Sequence, residues 1–512
     1  MLGGGRSIGV ISPSMADHVL AIDQGTTGTT VLLVDARGRI RGRAYGEIRQ
    51  HYPQPGWVEH DADEIYRSVL RLSRQAIGDA RIDASAIASI GIANQRETFV
   101  VWERKNGRPL SRAIVWQCRR STEICERLRE QEAEITRRTG LLVDPYFSGT
   151  KLKWLLDHER GLRRRGERGE ICFGTIESWL IYRLSRGAAF VSDFTNASRT
   201  LLFNLESRAW DEVICDQLDV PLAMLPQPVS SRGPLCETAS GTIAARPVPV
   251  GAAIGDQQSA LFGQGCVSAG DAKVTYGTGA FLLMHTGTER VDSQNRLLTT
   301  LALGKTGEPA FALEGSVFIA GAAVQWLRDQ LGLIAKSSDT LALARKSHNR
   351  SELYVVPAFV GLGAPYWDSR ARGAIVGISP DTNNADVVRA TLDSIGYQVH
   401  DVVAAMQNDT GRRIAELRVD GGAAVNDYLM QFQADLLQCP VRRPRMAETT
   451  ALGAALLAGI AAGIWHDADE LTSLAKGARL FKPQMSVTER DQLVAGWHTA
   501  VNRVRSKEER AE

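Results

Sequence analysis

Short runs of apolar, β-branched residues alternate with stretches of helical spacing along the whole chain, the signature of an α/β protein. The first clear run, Val19–Asp23, stops at Gln24-Gly25-Thr26-Thr27-Gly28 and resumes as Thr29–Asp35. This predicts two strands joined by a glycine-bearing turn. The same design returns about half a chain later as Ala272–Tyr276, Gly277-Thr278-Gly279 and Ala280–His285. The repetition suggests two related halves, and two such hairpins facing each other suit a polyphosphate. Ile87–Asn94 and Phe99–Trp102 predict further strands, whereas Ser121–Arg137, Lys151–His158 and Ile176–Leu184 predict helices. From Pro226 to Gly251 there is no strong periodicity, and the domain junction is expected near Gly265 to Gly270. In the second half, Glu314–Phe318 precedes a helical pattern from Ala320 to Leu331. Asp386–Ala405 reads as an amphipathic helix, and the strand Leu417–Asp420 runs into Gly421-Gly422 and a helix from Asn426 to Leu437. The longest nonpolar run, Ala451 to Trp465, falls short of the roughly 20 residues a membrane span requires and predicts a buried helix.

Composition narrows the class. With 44% hydrophobic and 23% charged residues, the chain buries enough surface to offset its entropy, and 512 residues suggest two large domains or three smaller ones. Sixty Lys plus Arg against 58 Asp plus Glu leave a formal charge of +2, too balanced for a protein that grips nucleic acid through phosphates. The basic cluster Arg163, Arg164 and Arg165 lies between Glu159 and Glu170 and reads as a solvated face. Seven scattered cysteines without a C-x-x-C spacing fit reduced thiols in a cytoplasmic protein. Nine dispersed histidines offer no zinc cluster, so a participating metal is expected to be a hard, oxygen-bound ion such as magnesium. Residues 1–17 hold only a brief Ile8–Ile11 apolar patch, too weak for a secretory signal, and are expected to be a disordered tail, with Met15 an alternative start.

Five places could carry chemistry. Asp23 ends an apolar strand beside a Gly/Thr turn whose backbone N–H groups can form an anion nest, and the carboxylate could hold magnesium; an ordinary hairpin with a turn aspartate is the plain alternative. Gly277-Thr278-Gly279 offers a second clamp, and Asp420-Gly421-Gly422 a third strand-end site against which a nucleoside could lie, or else a tight strand-to-helix turn. Gly255-Asp256-Gln257-Gln258 follows the small, apolar segment Val250–Ile254, so Asp256 is expected to leave a buried strand, where partial desolvation suits a general base; a helix cap is the alternative. Asn94-Gln95-Arg96-Glu97 joins a donor to an acceptor, which hydroxyl-rich substrates need, although a surface ion pair is the default for Arg96 and Glu97. Trp116, Tyr146 and Phe281 could cover the carbon faces of such a substrate, though any one of them could equally be core.

In this order the pieces resemble the FGGY family of carbohydrate kinases. The resemblance runs from about Val19 to about Arg503 and includes both family signatures, YFSGTKLKWLLDH at Tyr146–His158 and GAIVGISPDTNNADVVRATLD at Gly373–Asp393. Longer stretches are similar to those of the members that phosphorylate glycerol: PGWVEHD at Pro55–Asp61, NQRET at Asn94–Thr98, IVWQCRR at Ile114–Arg120 and TNASRT at Thr195–Thr200. The same holds for GDQQSALFGQ at Gly255–Gln264, YGTG at Tyr276–Gly279 and GLGAPYWD at Gly361–Asp368.

The resemblance implies an actin-like, ribonuclease-H-like ATPase fold of two α/β domains, 18–266 on the glycerol side and 267–512 on the nucleotide side, with the active site in the cleft between them. It implies ATP-dependent, magnesium-dependent phosphorylation of glycerol to sn-glycerol 3-phosphate and ADP. Carried over, Arg96, Glu97, Tyr146, Asp256 and Gln257 are the glycerol contacts, Trp116 and Phe281 the apolar walls, and Asp256 the general base. Thr26, Thr27, Gly28 and Thr278 are phosphate contacts, Gly321, Gln325, Gly422 and Asn426 nucleotide contacts, and Asp23 the metal-side carboxylate. A homo-oligomer, dimer or tetramer, is expected, with no membrane insertion. The chain departs from the family at Gly28-Thr29-Thr30, where Ser-Ser-Arg is common, and before Val248, where a glycine-lysine-glycine run linked to fructose 1,6-bisphosphate inhibition is missing. A kinase for a longer polyol such as a pentulose, or a non-kinase actin-like ATPase, would share the phosphate turns. The second of these gives no role to Asp256, Arg96 or Glu97.

Overall fold

A computed structural model of the chain describes residues 16–347, 352–446, 448–470 and 477–506. The expected tail therefore lies almost wholly outside the described residues.

The first half is built on a six-stranded sheet. In chain order its strands are β1 (His18–Gln24), β2 (Gly28–Asp35), β3 (Ile40–Glu47), β4 (Ile87–Asn94), β5 (Arg232–Glu237) and β6 (Pro249–Gly255). In space they run β5-β6-β4-β1-β2-β3. The second half holds seven: β7 (Ala272–Tyr276), β8 (Ala280–Gly287), β9 (Leu298–Leu303), β10 (Pro309–Val317), β11 (Leu417–Asp420), β12 (Val441–Arg443) and β13 (Arg479–Phe481), ordered β9-β10-β8-β7-β11-β12-β13. Each sheet has the same kernel. An antiparallel hairpin and its antiparallel neighbour, β1-β2-β3 or β7-β8-β10, continue on the hairpin's other side into two parallel strands, β4 and β6 or β11 and β12. The repeat suggested by the two glycine turns is thus a repeat of whole sheets.

The inner strands of the first sheet, β1, β2, β4 and β6, are buried on both faces and accordingly read as largely apolar runs. On one face Leu20, Ile22, Val31 and Leu33 pack against helix α1 (Ala62–Ala80), which buries Ile65, Val69, Leu72 and Ala76 at helical spacing. Asp61 caps α1, accepting from the Glu64 N–H at 3.0 Å. On the other face Val19, Ala21, Leu32 and Val34 meet helix α6 (Thr449–Ala461), from the far end of the chain. Ala451 to Ile460 are buried without interruption, as an apolar helix held between layers must be. The layer between the sheets is α6 together with α2 (Asp256–Gly263), whose Leu261 packs on Leu283, Ala302 and Ala312 of the second sheet. The two helices meet at Gly453, where a Cβ would stand 1.9 Å from the Ser259 carbonyl oxygen. The far face of the second sheet is covered mainly by helices α3 (Gly321–Asp329), α4 (Asn384–Thr410) and α5 (Asp427–Leu437).

Two expectations need correction. Ser121–Arg137 is not one helix but Thr122–Arg127, a 3₁₀ turn Arg129–Gln131 and Glu132–Thr139. Buried Ile124, Cys125 and Leu128 are followed by the fully polar stretch 129–132, so no apolar anchor keeps the first helix in register until Ile135. Between Pro226 and Gly251 the structure contains strands Gln227–Val229 and β5 and the start of β6. Strand β5 lies at the sheet edge, half-buried and broken by a register shift, which hides its alternation and accommodates Pro234. The Arg163 and Arg165 side chains lie at the surface and pair with Asp157 and with Glu103 and Glu170 respectively.

Candidate active site

The two glycine turns, the C-terminal ends of β4 and β6, and β7, β8 and β10 of the second sheet converge on one cleft. Arg96 and Glu97 follow β4 and are not the surface ion pair that is the default for such neighbours. They are 1% and 2% exposed, the opposite of a solvated pair. Arg96 donates from Nη1 at 2.5 Å and from Nη2 at 2.9 Å to the two oxygens of Glu314. Its Nε lies 3.4 Å from Asp256 and 3.8 Å from Glu97. Arg199 completes the cluster, donating from Nε to Glu97 at 2.7 Å and from Nη2 to Glu314 at 3.0 Å. Glu97 adopts φ +60°, a left-handed conformation unusual for a non-glycine residue, with its carbonyl held by the Ser148 hydroxyl at 2.9 Å.

Asp256 opens α2, directly after the buried end of β6. The residue in the cap position is Gly255; the Asp256 carboxylate accepts from the Gln257 N–H at 2.7 Å and keeps a quarter of its surface exposed. Burial raises its pKa against the pull of Arg96 and Lys273. The Gly255 N–H donates to Thr195 Oγ1 at 2.8 Å, and the Thr195 hydroxyl donates in turn to buried Asp193 at 2.5 Å, so a polar chain fixes the backbone beside Asp256. Lys273, fully buried on β7, donates to Gln257 Oε1 at 2.5 Å and to Thr275 Oγ1 at 2.8 Å.

Three aromatic residues stand over this floor. The Trp116 ring centroid lies 5.5 Å from that of Tyr146 and 5.9 Å from that of Phe281, both edge-on. The Trp116 indole donates to Thr26 Oγ1 at 2.9 Å, tying this wall to the first glycine turn. Buried Lys151 donates to the carbonyl oxygens of Tyr146, Val115 and Trp116 at 2.8, 3.3 and 3.4 Å, and burial lowers its pKa to about 7.

The phosphate-facing side is different. Burial first, then Asp256 and Asp420, raise the Asp23 pKa to about 8. This is an acidic concavity that a cation would relieve. Among the described residues no three His, Cys, Asp or Glu side chains converge as a metal site of their own. Magnesium in kinases typically takes one or two carboxylates, with phosphate oxygens and water completing its shell, and Asp23 fits that part. Asp420 accepts from Gln264 at 2.8 Å and from Thr449. Thr27, Gly277 and Thr278 are exposed at the turns. Gly321 begins α3 with its N–H 2.9 Å from the Gly277 carbonyl, and a Cβ there would lie 2.5 Å from that oxygen, so the helix start reaches the turn only as glycine.

Other residues of the expected set sit differently. Gly28 is the first residue of β2, and its missing Cβ makes room for the Gly46 carbonyl at 2.6 Å, a strand-packing requirement. Gly421, at φ +88°, rather than Gly422, is the residue whose backbone demands glycine. Asn426 caps α5 and donates to Thr340 at 3.0 Å, while Gln325 is exposed on α3. Thr29, in the segment that departs from the family, is buried with an unpartnered hydroxyl. Sequence reasoning assigned no role to Arg199, Glu314, Lys273 or Lys151. Arg199 and Lys151 lie inside the motifs TNASRT and YFSGTKLKWLLDH, and a charged residue inside an otherwise apolar strand was the signal for Glu314 and Lys273.

Paired sheets of this kernel, each presenting a glycine turn to a shared cleft, form the actin-like, ribonuclease-H-like ATPase architecture. Models of the FGGY family of carbohydrate kinases match residues 18–263 with its N-terminal domain and 272–462 with its C-terminal domain, so the chain belongs to that family. It is 51% identical over 494 residues to a glycerol kinase of Salmonella arizonae, covering 96% of this chain and 98% of the relative. It is 50% identical over 501 residues to a glycerol kinase of Deinococcus radiodurans, covering 97% and 100%. The crystal structure of Plasmodium falciparum glycerol kinase with ADP superposes with a TM-score of 0.89 at 35% identity, covering 95% of this chain and 98% of that one. A gluconate kinase of Lactobacillus acidophilus, 20% identical with a TM-score of 0.84 over 94% and 96% of the two chains, shares the fold.

Proposed function

We propose that this protein is an ATP-dependent kinase that phosphorylates a terminal hydroxyl of glycerol, releasing sn-glycerol 3-phosphate and ADP. The observation that carries the reading is the buried Arg96–Glu97 fork facing Asp256 beneath the Trp116, Tyr146 and Phe281 rings. A small polyol needs a donor and an acceptor for its hydroxyls and an apolar cover for its carbons, and the fork and rings supply both. The relatives named above support glycerol as the acceptor and ATP as the donor.

In this reading Arg96 donates to, and Glu97 accepts from, two hydroxyls of glycerol, with Tyr146 and Gln257 beside them and Trp116 and Phe281 against the carbons. Asp256 accepts the proton of the attacking hydroxyl as the new O–P bond forms and the bond from the γ-phosphorus to the β,γ-bridging oxygen breaks. Thr26, Thr27, Gly28 and Thr278 border the phosphates, and Gly321, Gln325, Gly422 and Asn426 the nucleoside. Magnesium held through Asp23 neutralises phosphate charge when bound. Residues 18–266 form the acceptor-side domain and 267–512 the nucleotide-side domain. The seven unpaired cysteines suit a reducing cytoplasm, no helix among the described residues is long and apolar enough to cross a membrane, and a homo-oligomer is expected and readable by light scattering. The test is ADP formation by the purified protein with magnesium-ATP across glycerol, dihydroxyacetone, glyceraldehyde and a pentulose. Glycerol is expected to show the highest kcat/KM; a faster pentulose, or ATP hydrolysis independent of any acceptor, refutes the reading.

A further inference from the structure

The side chain that fixes the acceptor fork does not belong to the acceptor half. Glu314 sits on β10, opposite Leu283 of β8, with Ser316 next on the same face opposite Phe281. That face looks toward the first half, and Glu314 and Arg199 are fully buried there. Glu314 Oε1 accepts from both Arg96 and Arg199, and Oε2 accepts from Arg96 alone. Two cations and two anions, Arg96, Arg199, Glu97 and Glu314, therefore close into one neutral, buried cluster spanning the two halves. Burial works to raise the Glu314 pKa, but the two guanidiniums outweigh it and hold the carboxylate below its usual range.

The geometry has a chemical consequence. Arg96 gives its two shortest terminal hydrogen bonds to Glu314, with longer ones to Gln258 Oε1 at 3.2 Å and the Tyr146 hydroxyl at 3.4 Å, while only its Nε approaches Asp256 and Glu97, at 3.4 and 3.8 Å. Without Glu314 only the longer bonds to the neutral Gln258 and Tyr146 would hold those nitrogens against the pull of the two remaining carboxylates, and a turn onto them would block the hydroxyl acceptor at Glu97 and mask Asp256. Arg199 acts likewise from the other side. It engages Glu97 Oε1, and among the described residues no protein donor reaches Glu97 Oε2, which is left for a ligand. Its guanidinium also lies over the Tyr146 and Phe147 rings, 5.5 and 5.2 Å from their centroids. Three residues beyond Glu314, the Val317 carbonyl packs where a Cβ on Gly279 would stand at 2.5 Å, so the same strand buttresses the second phosphate turn.

We propose that Glu314, with Arg199, is a positioning residue for the acceptor: the second half of the molecule sets the shape of the acceptor fork in the first. The proposal rests on the reading of Arg96 and Glu97 as acceptor contacts.

The experiment compares E314Q, which keeps shape and loses charge, with the wild type, using whichever acceptor of the panel above the wild type phosphorylates best. That choice separates the two readings. A wild type that prefers another acceptor refutes glycerol as substrate, while the variant's KM for that acceptor still tests the fork. The acceptor KM is expected to rise about tenfold or more while the ATP KM stays within about twofold. An acceptor KM within about twofold of wild type overturns the proposal, as does an equal rise in both KM values, which marks a merely structural role. Because E314Q leaves two arginines against one carboxylate, the charge-balanced double variant E314Q/R199Q is measured alongside. It is expected to show the same split if the single variant does not fold, and its failure to do so overturns the proposal equally.

Discussion

Two neighbouring clusters of carboxylates are neutralised to different extents by the fold. At the acceptor fork every anion has a guanidinium against it: Glu314 is held below the ordinary carboxylate range, while burial still raises Glu97 against the pull of Arg96 and Arg199. At the phosphate turns Asp23 faces Asp256 and Asp420, and its pKa climbs to about 8. The first cluster is complete as folded. On the proposed reading, the second is completed by a cation and phosphates. On the same reading, the difference teaches that acceptor recognition is built into the apoprotein, whereas the phosphate site is completed by its ligand.

The contrast can be broken at several points. The largest effect is expected from Asp256→Asn, which removes the proposed proton acceptor while preserving the shape. Turnover is expected to fall by about 10²–10⁴-fold, read by ADP release. Glu97→Gln removes the acceptor-side anion and leaves Arg199 unbalanced. Its kcat/KM for glycerol is expected to fall about 10²-fold, mostly through KM, because an interaction with a ligand hydroxyl is lost in ground and transition states alike. Adding magnesium and ADP is expected to raise the unfolding midpoint more at pH 8 than at pH 5. Saturation at about 100 times Kd contributes about 2.7 kcal/mol, and Asp23 is ionised and strained only at the higher pH. EDTA is expected to abolish that difference, which calorimetry reads.

A site far from the cleft serves as a control and gives the smallest effect. Buried Asp401 accepts from Trp497 at 2.7 Å and Tyr366 at 2.8 Å and contacts His498 at 2.9 Å; despite burial, hydrogen bonds led by the His400 and His498 side chains hold its pKa at about 2. The same contact raises His498 above its usual value, so its contribution is complete below about pH 6.5 and lost as pH rises through the raised value. His498 is half exposed, so His498→Ala is expected to cost at most about 1 kcal/mol at pH 6 and less as pH rises through the raised value, with activity unchanged.

Much of this was legible in the residues. The strands of both hairpins, Ile87–Asn94 and Leu417–Asp420 could be placed because strands buried on both faces are apolar throughout, and the nonpolar run after Ala451 could be recognised as a buried helix. Strand β5 could not, since an edge strand with one partner carries a weak pattern, and the Ser121–Arg137 helix was overextended across a polar gap. At the site, Asp256, Arg96 and Glu97 stood out by position, and the partial desolvation of Asp256 followed from its buried strand, but the burial of Arg96 and Glu97 could not be read. Arg199 and Glu314, 115 residues apart, show their charge in sequence and their pairing only in space. The glycine turns were found through motif, while the reasons differ by residue: Gly321 for close approach, Gly421 for φ, Gly28 for strand packing.

The contrast between the two clusters is tested most directly by one calorimetric comparison at pH 8 without ligands, of Asp23→Asn and Glu314→Gln against the wild type. Asp23 has a folded pKa above its unfolded one, so folding loses about 1.4 kcal/mol for each pH unit between about 4 and about 8, and neutralising the group restores that loss. Glu314 balances two guanidiniums, so neutralising it leaves a buried charge uncompensated, at a cost of about 3–5 kcal/mol. The expected result is a midpoint above wild type for Asp23→Asn and below it for Glu314→Gln; midpoints that shift in the same direction would contradict the account.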